Sequence, residues 1–249
     1  MIGKNLLKKA ERIITLSERA KKYLNDVYKI DKNKINVICN GINIDYFDKH
    51  KAPPKVLMDY KQIFEFLSGF QLKIGYVGSI NEWQGIYNFI KIAKDIISKN
   101  RNIGFLIVGD GPEYIKVEKI IQKHSLQKRI LIHRAIHYDD IPSIYKNIDA
   151  LLMPRTSTLA TETTIPLKPL DAIACGRMVI GTNVGGLIDL QKSFPENIFL
   201  FDSCQKISSF IENIKKEDTI KKIPKNLFFF SISCQATKLI KTYHQLTNN

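Results

Sequence analysis

Between Glu162 and Gly186 the chain reads E-T-T-I-P-L-K-P-L-D-A-I-A-C-G-R-M-V-I-G-T-N-V-G-G. A lysine and two carboxylates stand around one short apolar segment, and the chemistry they suit is capture of an anion. A helix N-terminus offers N–H groups without intrahelical partners and a partial positive charge, which together favour a phosphate. Lys168 sits at such an N-terminus, where the helix dipole disfavours a cation. A bound diphosphate would justify it. Asp171, one turn on, is placed to reach ribose hydroxyls. Glu162, before the helix, is placed to reach whatever hangs from the second phosphate. An ordinary β-α-β unit with a solvated lysine fits the same residues.

The elements that must position these groups are legible nearby. Pro166 and Pro169 lack backbone N–H groups and suit a helix start. Leu170, Ile173 and Ala174 give that helix an apolar stripe, and Gly176 stands where a glycine closes a helix. Met178-Val-Ile-Gly reads as a short buried parallel strand. Gly185-Gly186 reads as a turn whose backbone geometry is closed to other residues.

The 249 residues are 44% hydrophobic and 25% charged, ordinary for a chain that can bury a core. Their number suits one large domain or one domain with appendages. The net charge of +14 reads as a solvated lysine-rich surface, or as attraction to anionic lipid, nucleotide phosphate or nucleic acid. The lysines are scattered from Lys4 to Lys241, which favours the solvated surface, and no nucleic-acid-binding signature accompanies them. Cys39, Cys175, Cys204 and Cys234 form no C-x-x-C pair and read as reduced, packed residues of a cytosolic protein. No apolar run is long enough to cross a bilayer, and no leader core follows Met1.

In chain order, Ile13-Ile-Thr-Leu reads as a strand, and Ser17 as the cap of a helix to about Tyr28. Ile35-Asn-Val-Ile-Cys is a second strand, closed by Asn40-Gly41. Residues 48–71 read as a lysine-rich linker with a short helix. Leu72-Lys-Ile-Gly-Tyr-Val is a strand running into Gly78, and a helix follows from about Ile86 to Lys99. Between them lies a second potential phosphate cradle, where Trp83 suits either packing or ligand contact. Gly104–Gly109 is a strand ending in Gly109-Asp-Gly111, with Tyr114 at the third glycine position of a dinucleotide fingerprint, so an NAD reading is weak. A helix to about His124, a strand at Arg129–His133, a helix from Asp140 and a strand at Ile148–Met153 come next. His133 and His137 have no third ligand at metal spacing. Arg155 opens a polar loop to Glu162 and reads as solvated or as a clamp on a diphosphate. Phe199-Leu-Phe and Ile207–Lys215 give a last strand and helix before Phe228-Phe-Phe-Ser, which leads into a final helix to about His244. Strand and helix alternate from residue 72 onward, so the fold class is α/β with a doubly wound parallel sheet.

These segments resemble family 4 retaining glycosyltransferases of the GT-B fold. Pro166–Gly176 resembles a sub-group whose helix begins P-L-K-P-L-E-A. In the family's E-x7-E pattern Thr163 stands at the first acidic position, with Glu162 beside it, and Asp171 replaces the second glutamate. Ser79 and Gln84 stand where the family's Arg and Lys grip the diphosphate; in the sub-group reading V-G-S-x5-G, Lys168 takes over that charge. I-N-V-I-C-N-G-I-N-I-D-Y-F resembles the family's V-I-P-N-G-V-D-x-x-x-F, G-D-G-P-E its V-G-D-G-P-E, and Phe230-Ser231 its F-S-W terminal helix.

The resemblance implies a remnant of the acceptor lobe at 1–52, a linker at 53–71, a nucleotide-sugar lobe at 72–227 and a returning helix at 228–249. It implies hexosyl transfer from a UDP- or GDP-linked sugar to a glycan or lipid-linked acceptor, in synthesis of surface polysaccharide or glycoconjugate, without a metal cofactor. Glu162 would be catalytic. Gly78, Ser79, Gln84, Arg155, Glu162, Thr163, Thr164, Leu167, Lys168 and Asp171 would hold the donor, and His133, Arg134 and Ala135 would form the base-binding loop. A donor-binding subunit, an inactive remnant and a nucleotide-sugar epimerase of GT-B fold are the alternatives. The implied partners are a separate N-lobe chain or further copies of this one, and an anionic membrane surface at its periphery, not nucleic acid. The implied location is the cytoplasm or the inner face of the membrane.

Overall fold

The structure, a computed structural model, describes residues 2–49, 59–99 and 102–247. Helix α1 (Ile2–Lys9) leads into β1 (Ile13–Thr15), α2 (Glu18–Tyr28) and β2 (Ile35–Val37). The hydroxyl of Ser17 accepts the Ala20 N–H at 3.0 Å and so starts α2 as expected. β1 and β2 pair in parallel, Ile13 beside Ile35, around a small core of their own built on Ile13, Ile30 and Ile35.

Next come α3 (Ile44–Lys49), α4 (Lys61–Ser68), β3 (Leu72–Val77), α5 (Ile86–Ser98), β4 (Ile103–Val108), α6 (Tyr114–Lys123), β5 (Ile130–His133), α7 (Ile141–Asn147) and β6 (Ala150–Met153). They are followed by α8 (Leu159–Thr163), α9 (Lys168–Ala174), β7 (Met178–Thr182), α10 (Gly185–Ser193), β8 (Ile198–Phe201), α11 (Cys204–Asn213), α12 (Lys216–Thr219) and α13 (Ile232–Thr247). Residues 53–58 of the expected linker lie outside the described residues; α4 supplies its short helix.

Six strands form one sheet in the order β5-β4-β3-β6-β7-β8, and every neighbouring pair is parallel. The strands read as continuous apolar runs because both faces are covered. Phe105 of β4 meets Phe89 of α5 edge-on at 6.0 Å. A Cβ on its neighbour Gly104 would instead overlap Phe70, just past α4. Successive residues of a strand face opposite sides, so α5 and α4 flank opposite faces.

The order of strands reverses between β3 and β6. From β3 the chain winds outward to β4 and β5; from β6 it winds the other way to β7 and β8. Such a reversal opens a crevice at the carboxyl ends of the two central strands, the usual place for a ligand in doubly wound sheets. The β3 and β6 loops both end there.

The last helix runs back to the first unit. Ile42 N–H donates to Phe230 C=O at 2.9 Å and Ile232 N–H to Ile42 C=O at 3.0 Å. Asn36 Nδ2 donates to Thr242 Oγ1 at 3.0 Å. Ser17 donates to the Thr163 carbonyl, and Arg19 pairs with Asp189 at 2.9 Å.

Two expectations need correction. Gly185 and Gly186 form no strained turn: they open α10, and neither has positive φ. They are glycines for lack of room, since a Cβ on Gly185 would overlap the Glu162 carbonyl and one on Gly186 the Thr164 carbonyl. The stretch from Arg155 to Glu162 is also not all loop. Thr158 and Thr161 exchange side-chain hydrogen bonds with each other's backbone and start α8.

Candidate functional site

Three loops converge on the crevice, after β3, after β6 and after β5. Gly78 ends β3 with φ +134, a conformation that favours glycine, and its N–H bonds to Val108 C=O at 2.8 Å. The reason for glycine here is also Lys168. The aliphatic stem of Lys168 crosses Gly78 so closely that a Cβ would overlap its Cε. The Lys168 ammonium donates to the Tyr76 hydroxyl at 3.2 Å and lies 4.9 Å from the centre of that ring. Tyr76, fully buried in β3, donates in turn to the Ser79 carbonyl at 2.6 Å.

Lys168 is therefore no solvated lysine. Burial, and then the Arg155 cation, bring its pKa down to about 8, against the opposing pull of Asp171. Burial raises Asp171 to about 7, with Lys168 opposing. α9 itself is only seven residues long, closed by Gly176 at φ +67, so the anion chemistry rests on side chains more than on a helix dipole.

Arg155 contradicts the solvated reading more strongly. It is 4% exposed, its guanidinium stands 5.6 Å over the Trp83 ring, and its Nε and Nη1 have no hydrogen-bond partner among the described residues. Burial lowers its pKa. Gln84 is 7% exposed and its Oε1 is likewise unpartnered. The two are neighbours because the β3 and β6 loops are tied: Thr156 N–H donates to Trp83 C=O at 3.3 Å, and Gly85 lies against the Pro154 carbonyl. Among the described residues neither Arg155 nor Lys168 is ion-paired with a carboxylate. Buried polar groups are nearly always bonded, and leaving one unsatisfied costs about 1–3 kcal/mol. Two cations and an amide, with no carboxylate in direct contact with either cation among the described residues, make a receptor for an anion.

Glu162 is placed differently. One carboxylate oxygen accepts Gly185 N–H at 2.9 Å and the other accepts the Ser157 hydroxyl at 2.8 Å, so it caps α10 at the rim of the crevice. Thr163 turns its hydroxyl to the Leu159 carbonyl at 2.6 Å. Thr164 N–H bonds to Ala160 C=O at 3.0 Å, and Leu167 packs half-buried on the core.

Of the expected base loop, Ala135 borders a cavity. That cavity, about 230 Å³, is lined by Gly78, Ser79, Gly109, Asp110, Ala135, Ile136 and Ile141. His133 Nδ1 instead donates to the Arg134 carbonyl at 2.8 Å, and its ring meets Tyr60 edge-on. Arg134 donates to Asp110 at 2.8 Å and covers the Tyr114 ring at 3.7 Å. Tyr76 was missed by sequence reasoning; its signal is an aromatic hydroxyl in the apolar half of β3, two residues before Gly78. Among the described residues no cluster of His, Cys, Asp and Glu could hold a metal ion, and no helix is long and apolar enough to cross a membrane.

Comparison with known proteins bears on the family and the fold. The family model described as "Glycosyl transferases group 1" matches residues 62–226, and one described as "Glycosyltransferase Family 4" matches residues 1–46. A 2-deoxystreptamine glucosyltransferase of Streptomyces kanamyceticus is 26% identical over 183 residues, 74% of this chain and 45% of that protein. The chain spans about half the length of the curated relatives it matches. Among solved structures, a glycosyltransferase from Rickettsia africae superposes with a TM-score of 0.76 at 22% identity, covering 99% of this chain and 67% of that one. Anabaena HepE, solved in complex with UDP, gives 0.75 at 19% identity, covering 98% and 66%. The fold is that of GT-B glycosyltransferases, and the chain belongs to the group 1 glycosyl transferases.

Proposed function

We propose that the crevice between β3 and β6 binds the diphosphate of a nucleotide sugar, and that the chain serves glycosyl transfer from that donor as a family 4 retaining enzyme. One observation carries the reading: Arg155 is buried with two donors unpartnered, the half-buried Lys168 lies within its electrostatic field, and neither is ion-paired with a carboxylate among the described residues. A diphosphate would supply the missing charge. In transfer, the bond from the anomeric carbon to the β-phosphate oxygen breaks and its electron pair stays on that oxygen. Preorganised cations that meet this growing charge stabilise the transition state. Lys168, resting on a neutral tyrosine, and Arg155, with two donors unused, are the groups proposed for that task, without a metal.

Asp171 would take ribose hydroxyls. Glu162 would face the sugar from the rim, where its carboxylate also fixes the start of α10. The Ala135 backbone and the neighbouring cavity would receive the base. The UDP seen in Anabaena HepE supports a uridine donor over a guanosine one. The acceptor is proposed to be a glycan or a lipid-linked sugar. A calorimetric screen of UDP-, GDP- and ADP-sugars against the full chain tests the donor assignment. Saturable binding of one base class supports it, and no binding of any at millimolar ligand overturns it.

A further inference from the structure

Glu162 keeps its place at the rim only while two elements stay together. Its carboxylate spans them: one oxygen accepts Gly185 N–H of α10, the other the Ser157 hydroxyl just ahead of α8. α8 has five residues. So short a helix does not persist by itself, because its first turn is costly and few bonds follow to offset it. A group outside α8 must therefore fix it against α10.

The start of α2 supplies two such groups. The buried Ser17 uses its hydroxyl in both directions: it accepts Ala20 N–H at 3.0 Å and donates to the Thr163 carbonyl. Carbonyls in the last turn of a helix lack partners within it, so this bond closes α8 immediately after Glu162. Arg19 lies along the first turn of α10. Its stem passes so near Gly185 that a Cβ there would stand 2.9 Å from Arg19 Cδ, and its Nε donates to Asp189 at 2.9 Å. Gly185 and Asp189 are one turn apart, on one face of α10. α2 is itself anchored in the small core of the first unit, where Leu24 and Tyr28 pack on Ile13, Ile30 and Ile35.

We propose that Ser17 and Arg19 are positioning residues that hold the Glu162 carboxylate on Gly185. They act through Glu162: Ser17 sets α8, Arg19 sets α10, and the carboxylate between them follows. Their link to transfer rests on the donor reading above, in which Glu162 faces the sugar.

Hydrogen exchange followed by NMR, together with titration of UDP and UDP-glucose, tests this on the full chain. Arg19→Met should speed exchange of Gly185 N–H about two- to fivefold, and Ser17→Ala about two- to tenfold. Ile188 N–H, bonded to Val184 C=O at 3.0 Å, should exchange as before. Arg19→Lys keeps a cation beside Asp189 and should restore the wild-type rate. Arg19→Met and Ser17→Ala should weaken UDP-glucose binding by the same factors and leave UDP binding unchanged. The Arg19 side chain is partly exposed, so its variants keep the fold even where Ser17→Ala, which also uncaps α2, does not. An unchanged rate at Gly185 overturns the proposal. Equal acceleration at Gly185 and Ile188 also overturns it, since Arg19 would then only brace α10, and so does an equal loss of both ligands. If the wild type binds neither ligand, the donor reading falls, and the exchange pattern alone upholds or overturns the positioning.

Discussion

The Lys168 ammonium lies 3.2 Å from the Tyr76 hydroxyl and 4.9 Å from the centre of its ring, so the cation rests on a neutral partner. Burial raises the tyrosine pKa, which keeps it uncharged. A cation held on an aromatic ring is stabilised without being neutralised. Its charge therefore remains available to a ligand in the crevice, and Arg155 adds to the same field.

The burial of Arg155 should cost the free protein stability. Replacing a buried charge with an apolar side chain of similar size is often stabilising. Arg155→Met should raise Tm by roughly 2–4 °C, about 1 kcal/mol. It should lower UDP affinity about tenfold through the lost charge-assisted bond. Scanning calorimetry with and without UDP reads both effects; a fall in both stability and affinity would assign Arg155 a structural role.

Lys168 and Asp171 give the site a pH dependence. With its pKa at about 8 rather than 10.5, Lys168 binds fewer protons folded than unfolded across that window, so stability rises with pH through it. With its pKa at about 7 rather than 3.8, Asp171 binds more protons folded than unfolded in its window, so stability falls as pH rises there. A diphosphate favours charged Lys168 and raises its pKa again. Binding of UDP should therefore take up a proton just above pH 8, and affinity should decline as the pH climbs further. Titration in two buffers of unequal ionisation heat measures that uptake, which Lys168→Met should abolish.

Gly85 joins the two loops that hold Gln84 and Arg155. It has φ +81, and a Cβ would overlap the Pro154 carbonyl. Gly85→Ala should cost about 3 kcal/mol, from left-handed strain plus the forced separation of backbones, or roughly 10 °C in Tm. An unchanged Tm would mean the loops are not tied here.

Much of the fold was legible in sequence because its signals are local. The strands of a parallel sheet covered on both faces are unbroken apolar runs, as Gly104–Val108 shows. α9 was legible because Pro166, Pro169 and Gly176 punctuate it. α8 was not, because its start depends on threonines that read as loop residues. α10 hid behind Gly185-Gly186, whose purpose is close approach to Glu162 and Thr164, two elements away. At the site, Lys168 stood out because a cation opens a helix. The burial of Arg155 could not be read, since it arises only when the β3 loop folds across the end of β6.

Glu162 accepts Gly185 N–H at the start of α10, where a carboxylate complements the exposed donors. Glu162→Gln should cost about 0.5–1 kcal/mol in stability. If the carboxylate also faces the sugar, the change should weaken UDP-glucose binding more than UDP binding. Parallel titrations decide, and equal effects on the two ligands would confine Glu162 to capping.

The most direct measurement is calorimetric titration of UDP into wild type and Lys168→Ala. A charge-assisted hydrogen bond is worth roughly 1.5–3 kcal/mol, so the variant should bind about ten- to a hundredfold more weakly. Equal affinities, or no binding by the wild type at millimolar UDP and GDP, would contradict the assignment of the crevice to a nucleotide diphosphate.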